Sequence, residues 1–255
     1  MSFEELVNIV AKLRGPDGCP WDKEQTRESL RPFLIEELYE LIDALEENNP
    51  KGIQEELGDL LFQIILQSQL SKEDGQFDIY GVICGIIQKM VSRHPHVFGD
   101  KDLKTSEDVR IWWEEHKRNE GKSYDSAIGG VPKSLPALLR ASEIQKKATN
   151  VGFDWNKIED VFVKLDEEIK ELKEALDKKN HKEIEDELGD ILFVLVRIAN
   201  FINVNPEDSL RKTINKFTRR FMHIEKEASR KYRRLNDMTL AEMDVLWNEA
   251  KKELG

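Results

Sequence analysis

The chain has 255 residues, 39% hydrophobic and 35% charged, enough for two domains of ordinary size but lean for one large globule. Its formal net charge of −11 argues against a nonspecific nucleic-acid binder and against attachment to an anionic membrane surface. A phosphate substrate stays open, because a bound metal ion reverses the local sign.

Cys19 and Cys84 are the only cysteines, with no metal-type CxxC and no disulfide framework, which fits a reducing, cytoplasmic setting. The start, Met1-Ser2-Phe3-Glu4-Glu5, does not read as a signal peptide. Leu57–Leu70 is apolar but carries Asp59, Gln63 and Gln67, so it is core and not a membrane span.

Phe3–Leu13 has apolar residues at 3, 6, 7, 9, 10 and 13, a helical stripe. Arg14–Trp21 breaks it with two glycines and two prolines. Thr26 is the expected N-cap of the next helix, with Glu28 and Ser29 in its first turn. Within Ile35–Leu61, Glu37/Glu40 and Glu56/Asp59 are pairs spaced by three, so each pair shares a helix face. Between them Asn48-Asn49-Pro50-Lys51-Gly52 reads as a helix stop and restart, which predicts an antiparallel hairpin. Glu40 and Glu56 average to position 48, and so do Glu37 and Asp59. Four carboxylates therefore converge at one height, with Leu38, Leu41, Leu57, Leu60 and Leu61 as apolar neighbours.

Ile79–Val91 is a third helix, and Ser106–Lys117 a fourth with Ser106 as its cap. Gly121–Pro136 concentrates Gly, Ser and Pro. It separates an N-terminal domain, 1–120, from a C-terminal domain, 137–255, with 121–136 as linker. Ala137–Val151 is again helical. Gly152-Phe153-Asp154-Trp155 parallels Gly18-Cys19-Pro20-Trp21, and both Trp21 and Trp155 are assigned to the core. Asp160–Leu176 and Lys182–Ile202 form a second hairpin, followed by helices Ser209–Arg234, which Pro206 can start, and Leu240–Leu254. No stretch reads as a strand, so the expected fold is all-α.

The second hairpin repeats the acidic device. Its pairs are Glu168/Glu171 and Glu187/Asp190, both averaging to 179, and E-L-G-D recurs unchanged at 56–59 and 187–190. A solvated acidic face has no reason to repeat its register. Carboxylates this close raise one another's pKa, and a divalent cation reverses that. All-oxygen ligation suits Mg²⁺, Mn²⁺ or Ca²⁺ better than zinc or copper. The repeat extends to cations. Lys89 and Arg93 align with Lys216 and Arg220, and Trp113 and Lys117 with Trp247 and Lys251. Lys164, one turn before Glu168, could reach a phosphate. Acids for metal plus fixed cations is what a polyphosphate substrate requires. Glu36 or Glu167, next to the ligands, would orient or deprotonate the attacking water. No GxxxxGK[ST] occurs, so this is not a P-loop NTPase, and no ExxH occurs, against a dinuclear iron bundle. The other reading is a helical binding or scaffold protein whose acidic hairpins are structural divalent-metal clips.

The stretches G-C-P-W-D-K-E-Q-T at 18–26, E-E-L-Y-E at 36–40 and L-P-A-L-L-R-A at 135–141 go further, as do V-G-F-D-W at 151–155, K-F-T-R-R-F at 216–221 and L-W-N-E-A-K at 246–251. With the tandem acids they resemble the MazG family of nucleoside triphosphate pyrophosphohydrolases over nearly the whole chain. Arg27 departs from the His that often follows Q-T there. The resemblance implies two tandem MazG-like all-α domains that form helical bundles by homodimerisation. It implies Mg²⁺-dependent cleavage of the α–β bond of nucleoside triphosphates, giving a monophosphate and pyrophosphate. It would place metal on Glu168, Glu171, Glu187 and Asp190, with Lys216, Arg220 and Trp247 at the nucleotide. In some relatives only the carboxy-terminal copy is active. Here the amino-terminal copy keeps Glu37, Glu40, Glu56, Asp59, Lys89, Arg93, Trp113 and Lys117, so two sites are expected.

Overall fold

A computed structural model describes residues 2–106, 108, 109, 112, 126–230 and 233–254. The described residues contain helices and turns and no strand, in two compact units, Met1–Gly121 and Lys122–Gly255. The first unit contains α1 (Phe3–Arg14), α2 (Pro20–Glu24), α3 (Arg31–Glu46), α4 (Pro50–Glu73), α5 (Ile79–Arg93) and α6 (Pro95–Phe98). The second contains α7 (Ala137–Thr149), α8 (Ile158–Lys178), α9 (His181–Phe201), α10 (Pro206–Arg230), a 3₁₀ turn at Leu235–Asp237 and α11 (Leu240–Leu254).

The α3/α4 and α8/α9 pairs are the two hairpins expected from the sequence. In the first, Asn48 closes α3 with φ +50°, a left-handed conformation that Asn tolerates. Asn49 Oδ1 then accepts from the Gly52 N–H at 3.2 Å and starts α4. A Cβ at Gly52 would lie 2.8 Å from the Asn49 side-chain amide and 3.2 Å from Ala44 Cβ, so a larger residue would have to push the capping side chain aside. In the second hairpin Lys179, φ +54°, makes the same reversal.

Three sequence readings are corrected. The helix after Thr26 begins at Arg31, because Pro32 has no N–H and is tolerated only in a first turn. Thr26 and Ser29 instead close a turn, each side-chain oxygen accepting from the other's N–H at 3.1 and 2.9 Å. Trp21 and Trp155 are not core: they are 51% and 39% exposed. Trp21 sits on the short α2 and meets Phe33 edge to face, at 5.8 Å between ring centroids. Most of Ser106–Lys117 lies outside the described residues. At its start Thr105, not Ser106, caps, with Asp108 N–H donating to Thr105 Oγ1 and Thr105 N–H to Asp108 Oδ2.

The two units are held together differently. In the first, Val10, Leu30, Ile65, Leu66, Leu70 and Ile79 form an apolar core. Arg14 donates to Glu73 at 2.7 to 3.1 Å and to the Asp22 carbonyl, tying α1 and α2 to the end of α4. In the second, a polar network joins α7 to α9. Ser142 donates to Asn200 at 2.6 Å and Gln145 to the Phe193 carbonyl at 2.7 Å, while the buried Arg197 binds Asp154 through two hydrogen bonds, 2.9 and 2.5 Å.

Asp154→Ala strands a buried guanidinium and is expected to destabilise the second unit by about 3 kcal/mol, whereas Asp154→Ala with Arg197→Leu recovers at least about half of that loss. Urea unfolding midpoints read both. The hydrogen bonds from Arg14 hold the Glu73 carboxyl below the usual glutamate range. A depressed folded pKa stabilises above the unfolded value of about 4.3 and loses that contribution as pH falls through the folded one. Glu73→Gln should therefore cost about 1 kcal/mol near neutrality, discounted for exposure, and nothing once the acid range is reached.

Candidate functional site

Each hairpin gathers acids from both of its helices. In the first, one oxygen each from Glu37, Glu56 and Asp59 lie within 4.8 Å of one another; in the second, Glu168, Glu171 and Glu187 do so. Three of the four expected acids thus meet in each half, and the remaining one differs: Glu40 in the first, Asp190 in the second. Both stand exposed beside the group.

The acids press on one another. Partial burial pushes the Glu37 carboxyl up, and the charges of Asp59, Glu40, Glu56 and Glu36 push it further. Glu56 rises by desolvation and by Glu40 and Asp59. In the second half Glu171 rises through its hydrogen bond with Glu168, and Glu187 through desolvation and the charges of Glu171 and Glu168. Glu168 goes the other way. Burial to 4% exposure would raise it, but hydrogen bonds, the first from Lys164, outweigh this and keep it ionised. Lys164 Nζ lies 2.6 Å from Glu168 Oε1 and 2.9 Å from Glu167 Oε1. Glu167 is therefore engaged by a lysine, while its counterpart Glu36 is exposed. Carboxylates that share an oxygen-only cradle and repel when left alone fit a hard divalent cation.

Lys89 and Lys216 are exposed on α5 and α10, as is Lys251 on α11. The Arg220 guanidinium lies 5.5 Å from the Trp247 ring centroid. Phe217, next to Lys216 and absent from the sequence-derived residues, packs on Trp247 at 5.1 Å and stacks on Phe221 at 6.0 Å. Its one advance signal is its place inside K-F-T-R-R-F, four residues before Phe221. Trp113 and Lys117 lie outside the described residues, and Arg93 lies at the end of α5. A separate cleft of about 290 Å³ is lined by Arg27, Gln67, Ser68, Ser71, Gln76 and Phe77 and includes none of the acids. Arg27 there is committed to structure, bonding Asp74 at 2.7 Å and Gln76 at 3.0 Å.

Comparison with known proteins points the same way. The model of the MazG nucleotide pyrophosphohydrolase domain matches residues 25–98 and again 157–224. A Thermotoga maritima protein named nucleoside triphosphate pyrophosphohydrolase/pyrophosphatase MazG is 45% identical over 250 residues, covering 98% of this chain and 95% of that protein. An Escherichia coli nucleoside triphosphate pyrophosphohydrolase is 37% identical, covering 98% of this chain and 97% of its own length. An uncharacterised Bacillus subtilis protein, YabN, is 46% identical over 98% of this chain but only 52% of its own length. With both hairpins lying inside the matched segments, the chain belongs to the MazG family of nucleotide pyrophosphohydrolases, enzymes acting on phosphoric anhydride bonds, and carries the family's domain twice.

Proposed function

We propose that this chain hydrolyses nucleoside triphosphates at the α–β phosphoanhydride, releasing a nucleoside monophosphate and pyrophosphate, at two Mg²⁺ sites that Mn²⁺ can also fill. The observation that carries the reading is the pair of three-acid groups, built by hairpins of the same register. Glu37, Glu40, Glu56 and Asp59 would hold metal in one half, and Glu168, Glu171, Glu187 and Asp190 in the other. A bound Mg²⁺ supplies charge neutralisation on the phosphate oxygens. The chain's own part is to bind and orient. Lys216 and Arg220, with Lys89 and Arg93 in the first half, hold phosphate oxygens. Lys164 does the same from one turn before Glu168. Trp247, fixed by Phe217, offers a ring face for the base, with Lys251 and, in the first half, Trp113 and Lys117 beside it. Glu36 in the first half, exposed, can orient the attacking water; Glu167 does so in the second once Lys164 leaves it.

The active form in this reading is a cytoplasmic homodimer. Among the described residues no helix is long and apolar enough to cross a membrane. Leu57, Leu61 and Ile64 line α4 at helical spacing and are all more than a third exposed. Leu188, Leu192 and Leu195 repeat this on α9, each 131 residues on, equally exposed. Gly58 and Gly189 stand beside these stripes, and a Cβ on either would meet nothing within 4 Å. A glycine inside a helix costs about 1 kcal/mol against alanine, so room for an approaching helix supports the pairing of copies.

Glu56→Gln and Glu187→Gln should each leave the other site working, and the double variant should lose at least about a hundredfold in turnover. Product analysis with a panel of nucleoside triphosphates should give monophosphate and pyrophosphate; diphosphate with orthophosphate would contradict the reading. In sedimentation, Ile64→Glu with Leu195→Glu should turn the dimer into a monomer of unchanged helix content, and a wild-type protein that sediments as a monomer would overturn the pairing.

A further inference from the structure

The two halves differ one helical turn before their first acid. Every acid of the first group recurs 131 residues later in the second. Four residues before the first acid of each group, the first half has Phe33 and the second Lys164. Phe33 is spent on packing, against the apolar core and edge-on to Trp21. Lys164 instead reaches Glu168 at 2.6 Å and Glu167 at 2.9 Å. The lysine side chain is 35% exposed, while that of Glu168 is only 6% exposed, so the pair is shielded on the acid's side. Among the described residues no lysine or arginine is paired with Glu37, Glu40, Glu56 or Asp59.

We propose that Lys164 is a built-in counterion that competes with divalent metal for Glu168, so that without nucleotide the C-terminal acids bind metal more weakly than the N-terminal ones. The inference rests on reading both groups as metal sites. Glu168 is the acid most removed from water in its group, and its carboxylate already satisfies a positive charge. A metal ion arriving there must displace the ammonium or sit beside it at close range, and both lower its affinity. Among the described residues the first group carries no such competitor within ion-pair distance. Its acids raise one another's pKa, and among the described residues no lysine or arginine pairs with them to compete with a metal ion. Displacement also has a consequence for order of binding. The ammonium released from Glu168 and Glu167 is freed for an incoming phosphate, so metal and triphosphate favour each other at the second site. At the first, Phe33 offers no such coupling.

Mn²⁺ titration of the full chain without nucleotide, followed by the electron paramagnetic resonance of free Mn²⁺, tests this. Glu56→Gln with Asp59→Asn silences the first group, leaving the second to be measured alone. In that background Lys164→Met should tighten Mn²⁺ binding about three- to tenfold, as expected for a partly exposed pair, and Lys164→Arg should restore the weaker value. Circular dichroism checks that each variant keeps its helix content, with Lys164→Gln as the substitute should Met disturb packing. Mn²⁺ affinity that does not respond to Lys164→Met or Lys164→Gln in a folded protein overturns the inference and leaves the metal sites standing. Failure of the wild-type chain to bind Mn²⁺ at either group overturns the metal reading and the inference together.

Discussion

Mutual repulsion of carboxylates is the constraint on which the rest of this structure depends. Left to themselves, acids spaced three apart on an exposed helix turn outward and separate in water. Here they are held near one another because each helix that carries them is buried along the same face, a turn or two before and after the acids. In the first unit Leu30, Ile65 and Leu66 are fully or almost fully buried just beyond the acidic segment of the hairpin. In the second, Val161, Ala175, Val194 and Val196 play that part. The tight turns at Asn48 and Lys179 then fix the height at which one helix faces the other. Most of the energy that holds the acids together comes from apolar burial, with the Lys164–Glu168 pair adding to it in the second unit. Among the described residues the first group is left electrostatically unrelieved, whereas in the second Lys164 relieves part of the repulsion at Glu168.

The interior and the acids have diverged to different extents between the halves. At the position of the fully buried Leu66 the second half has Arg197, buried against Asp154. Gln63, buried in the first half, corresponds to Val194, and Phe33 to Lys164. An apolar core has been exchanged in part for a polar network, a change that requires compensating partners at several places. The eight acids meanwhile keep both identity and spacing. In a protein kept only for its fold, buried positions are the ones least free to change and surface acids the most free. The reverse pattern here argues that the acids answer to chemistry and the interior to whatever packs beneath them.

Much of this was legible in the sequence because it is local arithmetic. Spacing by three on a helix, a helix stop at Asn48-Asn49-Pro50, and equal distances on either side of it determine the hairpins and the height of the acids. Helix starts were less legible. Thr26 and Ser106 have capping side chains, but Pro32 and the Thr105–Asp108 pair decide where the chain turns. Tryptophan size suggests a core, and Trp21 nonetheless lies on a short edge helix that the core does not reach. Which three acids meet is a matter of rotamers and of Lys164, and spacing is blind to both. The same holds for Arg27, whose departure from the expected histidine turns out to serve a clasp on Asp74 and Gln76, away from the acids.

The exposed stripes and the acids occupy adjoining faces of α4 and α9, and this has a bearing on chemistry. Acids at the surface of a single copy work against bulk water, where charge is weakly felt at a distance. A second copy seated on Leu57, Leu61 and Ile64, or on their equivalents, would take water away from one flank of the acids without touching the side from which a nucleotide arrives. Each charge would then act in a drier setting, where its pull on a cation and on the phosphate it carries is stronger. Assembly in that picture is a component of the site, because it sets the dielectric in which eight carboxylates and a few cations act. In that picture the hairpin would have two tasks along one helix: to present acids on one face, and to offer beside them an apolar face whose covering would make those acids effective.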